Sequence, residues 1–455
     1  MTGEEYRESL RDGRETFIDG EQVKDITEDE RFRVPIDWVA RTYDRYHGTG
    51  KINPMLEPPR TAEDMRERVE MLLGADIMID VTYQSLMTVL TAAGTVRKTN
   101  PEYADRILAY VDEAAERDIR VSECITDAKG DRSLPPSRQE DPDAYVRVVD
   151  RGEDGIVIRG AKLHITGASL GHDMLVMPTK SMKPGEEDYA VTCAVPVNSP
   201  GVKIVNVSYG PREEDARHYP FSSREHMPDG FVIFEDVFVP NERVFLDGQV
   251  EHSARFAHSL GLWERLGGIT YMTEQADLLV GLAQLTAEAN GLARVSHIRD
   301  KIAEMLIHAT NLRAGLEAAL KHAETTDDGF CFPNELFTNA AKYQAASNYH
   351  LMCRHLHDIA GGAVTTAPSV ADLENPMVGP LVRKYMTTGD DNGEFRSKLF
   401  HAIRDLTAHG YGGWNYVANV QSGGGLIAQR LVSRKHYDME RAKSLALKAI
   451  EGPEE

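Results

Sequence analysis

The hydrophobic period of this chain changes twice, and that change limits its architecture more than any single motif does. Up to about residue 120, apolar residues recur at helical spacing. From about 121 to 245 the segments GIVIRG, AKLHITG, MLVMPTK, YAVTCAVPV, VKIVNV and FVIFEDVFVP are short and rich in Val and Ile, with Gly, Pro, Asp and Asn between them. Such runs at turn spacing predict a β-domain or barrel. From about 246 to 455 helical spacing returns, as in ITYMTEQADLLVGLAQLTAEANG and HIRDKIAEMLIHATNLRAGLEAALKHAE. Helices, then strands, then helices predict an α+β chain in three units, 1–120, 121–245 and 246–455, rather than alternating βαβ units. No convincing GxGxxG lies between a strand and a helix, so a Rossmann site is not expected.

Within the first unit, TAEDMRERVEMLLG starts with Thr61 as a cap and Asp64 three residues on. After Gly74 comes ADIMIDVTYQSLMTVLTAAG, apolar enough to predict a buried helix. Its polar interruptions include Asp80, Tyr83 and Gln84. Asp80 and Gln84 are four apart and share a helix face. A carboxylate in apolar surroundings must find a partner or raise its pKa. Asp80 is therefore a candidate general base, and a hydrogen-bonded structural role stays equally open.

Three kinds of loop stand out. TDAKGDRSLPPSRQ, residues 126–139, has no periodicity, and Lys129, Asp131 and Arg132 flank Gly130. It is either a solvated turn or a cradle for a polar ligand. HITGASLGHDM joins two strands through small and hydroxyl residues, among them Thr166, Gly167 and Ser169, which suit either a tight hairpin or a site for phosphate or a ring system. GASLG has the spacing of a nucleophile elbow, but strands on both sides are the wrong context. HDIAGGAVTTAPS and QSGGGLIAQR contain glycine breaks that either end helices or let backbone approach a ligand.

Composition excludes several functions. A net charge of −21 disfavours nucleic acid and anionic membrane. No apolar run is long enough for a membrane span, and MTGEEYRESLRDG has no signal-peptide core, so a cytoplasmic location is expected. Cys124, Cys193, Cys331 and Cys353 form no CxxC pair, which suits a reducing compartment. HExxH is absent and the HLH at 355–357 has the wrong spacing, so no metal site is expected.

TDAKGDRSLPPSRQEDPDAYVRVV, EDGIVIRGAKLHITGASLGHDMLVMPTKSM, YAVTCAVPV, FVIFEDVFVPNERVFL, SHIRDKIAEML and HDIAGGAVTTAPSVADL together resemble the 4-hydroxyphenylacetate 3-monooxygenase / 4-hydroxybutyryl-CoA dehydratase flavoprotein family, nearer its dehydratase branch. The resemblance covers nearly the whole chain, from EEYRESLRDGRETFIDGEQV onward. It implies an acyl-CoA dehydrogenase-like fold: an N-terminal helical domain, a central β-barrel and a C-terminal four-helix bundle, assembled as a homotetramer. It also implies FAD between barrel and bundle. Carried onto this sequence, the flavin contacts are Glu123, Cys124 and Ile125, then Lys129, Gly130, Asp131 and Arg132, then Thr166 and Ser169, with Gly423, Gly424 and Gly425 approaching from the bundle.

The departures from the family direct the functional reading. The dehydratase branch holds a four-iron, four-sulfur cluster through three cysteines and a histidine. The matching positions here are Asp80, Gln84, Leu262 and Ile269, with Thr270 where a lysine is expected. Such clusters need thiolates, so no iron–sulfur cluster is expected. The monooxygenase branch orients a phenol with an arginine, a tyrosine and a histidine, and those places carry Asp80, Gln84 and Glu123. Two acids repel a simple phenylacetate anion and suit a hydroxyl-rich, amide-bearing or cationic substrate better. The expected function is a two-component monooxygenase. It would take reduced FAD from a separate reductase and use O2 to oxidise a small organic substrate, with Asp80, Tyr83, Gln84 and Glu123 as catalytic candidates. The alternatives are a cluster-free, redox-neutral isomerase or dehydratase acting on an acyl-CoA-type thioester, and a flavin-binding scaffold without catalysis.

Overall fold

The computed structural model describes residues 1–50, 52–212, 215–389 and 393–451. Five helices come first: α1 (Gly3–Ser9), α2 (Glu30–Tyr46), α3 (Ala62–Leu72), α4 (Ile77–Val96) and α5 (Pro101–Arg117). The sequence-level cap of α3 is realised: Thr61 accepts from the Asp64 amide and the Asp64 carboxylate accepts from the Thr61 amide. Asp76 caps α4 by accepting from the Ile79 amide at 3.0 Å. Because α4 is apolar on all sides it is buried along almost its whole length.

Ten strands form two sheets: β1 (Glu15–Ile18), β2 (Glu21–Val23), β3 (Val121–Cys124), β4 (Arg147–Arg151), β5 (Gly155–Thr166), β6 (Asp173–Val176), β7 (Val191–Pro196), β8 (Val202–Val207), β9 (Asp229–Pro240) and β10 (Val244–Asp247). One sheet runs β2-β1-β8-β9-β5-β4 and the other β10-β7-β6-β3. Their inward side chains, among them Cys124, Ile158, Val176, Cys193, Ile204 and Phe234, share one core. Among the described residues the sheets do not close into the expected barrel. The physical reason is that the outer strands of the smaller sheet are covered by helices: α4 packs on β3 and α5 on β10.

Two further features depart from the sequence reading. β1 and β2 lie in the stretch expected to be helical, and β1 pairs in parallel with β8. The segment HITGASLGHDM is not a hairpin: β5 belongs to the larger sheet and β6 to the smaller, and the chain crosses between them through a short turn at Ala168–Leu170.

Apart from an antiparallel strand pair, β11 (Glu324–Thr325) with β12 (Cys331–Phe332), the remaining elements are helices: α6 (Val250–Ala289), α7 (Ser296–Lys321), α8 (Glu335–Ala360), α9 (Ala363–Thr366), α10 (Val370–Glu374), α11 (Gly379–Met386), α12 (Gly393–Thr407), α13 (Gly410–Gln421), α14 (Leu426–His436) and α15 (Met439–Glu451). The three long helices α6, α7 and α8 pack on one another, and α12 adds Leu399, Phe400, Ile403 and Leu406 to their core. α4 also packs on α6, and this contact positions the site.

Candidate functional site

Where α4 crosses α6, Gly267 lets the helices approach closely. A Cβ there would collide with the Gln84 amide and lie 2.7 Å from Asp80 Oδ2. Gln84 Nε2 donates to Asp80 Oδ2 at 2.7 Å, so the shared face predicted from the i, i+4 spacing is used. Asp80 Oδ1 is sealed from solvent and has no hydrogen-bond partner. Burial pushes the Asp80 carboxyl up to about 7, against the Gln84 hydrogen bond, and Glu264 adds to the rise.

Glu123 on β3 joins this group. Burial raises its carboxyl well above the usual range, and the nearby Glu264 and Asp80 raise it further. Its Oε1 has no partner. Glu264, on α6, is also raised by burial, opposed by a hydrogen bond from the Gly423 amide and by the charges of Lys342 and Arg265. Three carboxyl groups thus influence one another, and the two nearest cations are held by the protein. Arg265 donates to the Gly423 carbonyl at 2.8 Å and to Asn339 Oδ1 at 2.8 Å. Lys342 donates to the Asn419 carbonyl at 2.6 Å, and burial lowers it to about 8. Glu264, Arg265 and Lys342 were not singled out from sequence. The adjacent charges in LGLWERLGG, inside an apolar helix, were the available signal.

Tyr83 lines a cavity of about 10 Å³ beside Asp80 and Gln84, together with Met65, Arg68 and Trp263. Its hydroxyl is buried without a partner, as are Ser85 Oγ, Thr88 Oγ1 and the Tyr271 hydroxyl. An unpartnered buried polar atom costs about 1–3 kcal/mol, so such atoms mark places where a ligand or water is wanted.

The other candidates fall into separate groups. Gly423 (φ 71°) and Gly424 (φ 81°) form a left-handed turn, and a Cβ on Gly423 would lie 2.7 Å from Arg265 Cγ. Gly425 follows as the residue before α14. Together these glycines bring backbone to the carboxyl cluster. Cys124 is fully buried in the sheet core, and burial raises its thiol. The Ile125 carbonyl accepts from Lys162 Nζ at 2.9 Å and Thr179 Oγ1 at 2.6 Å.

The 129–139 loop is closed by Gln139, which accepts from the Asp131 amide and donates to the Asp131 and Leu134 carbonyls. Lys129 (φ 71°) and Gly130 (φ 48°) make its turn. Burial lowers the Lys129 ammonium, and Arg132, Lys162 and Lys180 lower it further. Lys162 is committed to Asp127 at 2.8 Å, whereas Lys129 and Arg132 form no ion pair among the described residues. Asp131 is turned inward on its own loop, accepting from the Ser133 amide and hydroxyl.

Thr166 and Ser169 do not join these groups. Thr166 donates to Asp229 Oδ1 at 2.9 Å, and Trp414 donates to the other oxygen of the same carboxylate at 2.6 Å. Ser169 is fully buried, with its hydroxyl 3.2 Å from Thr16 Oγ1 and accepting from Asn206 Nδ2 at 2.9 Å.

Comparison with known proteins agrees on one family. The model described as 4-hydroxyphenylacetate 3-hydroxylase N terminal matches residues 2–246, and its C-terminal counterpart matches 253–451. A 4-hydroxybutyryl-CoA dehydratase/vinylacetyl-CoA-Δ-isomerase of Clostridium aminobutyricum is 29% identical over 437 residues, covering 90% of this chain and 87% of its own. A 4-hydroxyphenylacetate 3-monooxygenase oxygenase component of Thermus thermophilus is 29% identical over 430 residues, covering 90% and 89%. Among solved structures, an archaeal 4-hydroxybutyryl-CoA dehydratase from N. maritimus superposes with a TM-score of 0.90 at 25% identity, covering 100% of this chain and 95% of that one. A 4-hydroxyphenylacetate 3-monooxygenase oxygenase component complexed with FAD superposes with a TM-score of 0.88 at 25% identity, covering 99% and 98%.

Proposed function

Since the chain belongs to the 4-hydroxyphenylacetate 3-hydroxylase family, we propose that it is the oxygenase component of a two-component, FAD-dependent monooxygenase. The observation that carries this reading is the α4–α6 contact. There Asp80 and Gln84 pack on Gly267 of α6, the helix that also carries Leu262 and Ile269. Asp80, Gln84, Leu262 and Ile269 are the positions at which the resemblance puts the dehydratase branch's three thiolates and imidazole. No thiol stands at any of those positions, and an iron–sulfur cluster requires thiolate ligands.

The residues present fit FAD. Lys129 and Arg132 are cations with no carboxylate of their own, suited to a diphosphate. The Cys124–Ile125 backbone, Gly130, Asp131 and Thr166 would border the ring system, and the Gly423–Gly425 turn would approach it without a Cβ in the way. Ser169 would act indirectly, by holding the turn after Thr166. When bound, reduced FAD from a separate reductase would supply two electrons and two protons, and O2 the oxygen atom that enters the substrate; substrate–H, FADH2 and O2 would give substrate–OH, FAD and water.

The protein's own residues manage the substrate and its proton. Asp80, raised to about 7, would accept a proton from a substrate hydroxyl or amine at Oδ1, while Gln84 holds Oδ2 in place. Glu123 would accept a second hydrogen bond, and Tyr83 lines the small cavity beside Asp80, which has room for one water that could relay its hydroxyl to the substrate. The apolar surroundings exclude water and strengthen these interactions. Two acids and an amide select a hydroxyl-rich, amide-bearing or cationic small molecule over a phenylacetate anion.

The larger architecture proposed is acyl-CoA dehydrogenase-like, with a mainly helical unit to residue 120, a two-sheet β unit to 245 and a four-helix bundle to 455, assembled as a cytoplasmic homotetramer. The α15 surface supports assembly, because it exposes Leu445, Leu447 and Ile450 and buries no residue within the single chain. No helix among the described residues is long and apolar enough to cross a membrane.

Oxygen uptake with photoreduced FAD, measured across phenols, amines and acyl thioesters, tests the function. Substrate-dependent uptake with a hydroxylated product is expected. A second reading, a cluster-free isomerase or dehydratase of acyl-CoA thioesters, is favoured by the similarity to the Clostridium enzyme. It predicts an isomerised or dehydrated thioester without oxygen uptake, and that result would replace the first reading.

A further inference from the structure

Arg265, next to Glu264 of the carboxyl cluster, also feels the charge of Glu335, where three metal-ligating side chains from three helices converge. His258 on α6, Glu335 in the first turn of α8 and His436 at the end of α14 each place one ligand atom within 4.8 Å of the others. His258 Nε2 lies 2.6 Å from Glu335 Oε1. The Glu335 side chain is only 7% exposed, yet its second oxygen, Oε2, has no hydrogen-bond partner. Ser259 Oγ, next to His258 in sequence, and Thr338 Oγ1, one helical turn after Glu335, are also buried and unpartnered. A buried carboxylate oxygen left without a donor is destabilising unless a cation or ordered water meets it.

We propose that His258, Glu335 and His436 bind a divalent ion of the zinc class. Two imidazoles and one carboxylate are a recurrent ligand set for Zn²⁺, which leaves a fourth position to water. Zinc–nitrogen and zinc–oxygen distances of about 2.0–2.2 Å require the three ligand atoms to separate or close to roughly 3.3 Å. Side-chain rotation suffices, because His436 is exposed at a helix end while Glu335 and His258 are held on long helices. Sequence spacing offered no metal motif because the ligands are 77 and 101 residues apart in the chain.

The ion would act as a structural clamp. α14 follows directly on the Gly423–Gly425 turn, whose Gly423 carbonyl accepts from Arg265. Fixing the far end of α14 to α6 and α8 would hold that turn against the carboxyl cluster. The competing arrangement is the plain His258–Glu335 ion pair, with Arg255, on α6 one turn before His258, adding positive charge around Glu335.

The test is a zinc titration of full-length, tag-free protein after dialysis against chelator, read by calorimetry and by metal analysis of the gel-filtered protein. One equivalent per chain with a micromolar or tighter Kd is expected, with a Tm rise of roughly 3 °C or more at 100-fold excess over Kd. His436→Ala removes an exposed ligand without stranding a buried group. It should weaken zinc binding at least tenfold and abolish the Tm shift while the circular dichroism spectrum stays that of the parent. Glu335→Gln should do the same. Substoichiometric binding by the parent, or unchanged binding by His436→Ala, would overturn the proposal and leave the cluster an ion pair. Neither readout depends on turnover, so this test and that of the monooxygenase reading fail independently.

Discussion

Asp76 and Asp80 lie one turn apart on the same helix terminus, 0% and 3% exposed, and the protein treats them differently. Asp76 caps α4 through Oδ1, and its Oδ2 is 3.9 Å from Arg120 Nη2. Arg120 is itself fully buried, 3.7 Å above the Tyr43 ring. Asp80 has only the Gln84 amide, and the charges that reach it, Glu264 and Asp76, are both negative. Burial raises both carboxyls, and only Asp76 has a cation opposing the rise. Burial by itself therefore does not distinguish a working carboxylate from a structural one. What distinguishes Asp80 is that it has no cation of its own, so its proton, or a positively polarised ligand, must supply the compensation.

Mutating each side tests the contrast. Asp80→Asn should lower kcat/KM by about 10²- to 10⁴-fold, the range of a positioned general base, without loss of stability at pH 8. Steady-state kinetics with a substrate found in the oxygen-uptake panel, beside thermal melts, measures both. Full activity in that variant would dissolve the distinction between the two aspartates. Arg120→Met should do the reverse. It strands Asp76 in the core and should remove about 3–5 kcal/mol of stability by denaturant titration, while turnover per folded molecule changes little.

The titration of Asp80 gives a pH signature. The unfolded chain ionises near pH 3.9 and the folded chain at about 7, so between those values the folded state holds the extra proton. Stability contributed by Asp80 is thus present at low pH and falls as pH rises from about 4 to about 7, by on the order of 2–4 kcal/mol. Melts of the parent at pH 5 and pH 8 should differ more than those of Asp80→Asn, and equal differences would show that Asp80 titrates normally. Lys129→Ala comes next in size: FAD affinity should fall roughly tenfold, the worth of one charge-assisted contact, with kcat little changed. Ser169→Ala should have the smallest effect. It loses about 1 kcal/mol of stability and lowers FAD affinity by less than about twofold, because its hydroxyl is already paired inside the protein and acts only through the turn after Thr166. Fluorescence titration with FAD separates the last two.

Much of the fold was legible in local signals. The Thr61 cap, the strand segments between 155 and 240 and the apolar helix carrying Asp80 and Gln84 all depend on periods and short offsets, and each reappears. β1 escaped because four residues between helices carry little periodicity, and its pairing with β8 spans nearly two hundred residues of chain. Glu264, Arg265 and Lys342 escaped because a charged residue on a long helix reads as surface until its neighbours are known. Ser169 lies in a turn that suits a ligand, and only the arrival of Thr16 and Asn206 shows that its hydroxyl is used.

By itself, then, the order of residues settled where the long helices and the longer strands lie, and it placed an acid and an amide on one face of a buried helix, because backbone period and capping act over a few residues. Which buried charges are neutralised was decided only in three dimensions. Desolvation is a property of the residue's surroundings, and the cation that cancels it, or fails to, comes from a distant part of the chain.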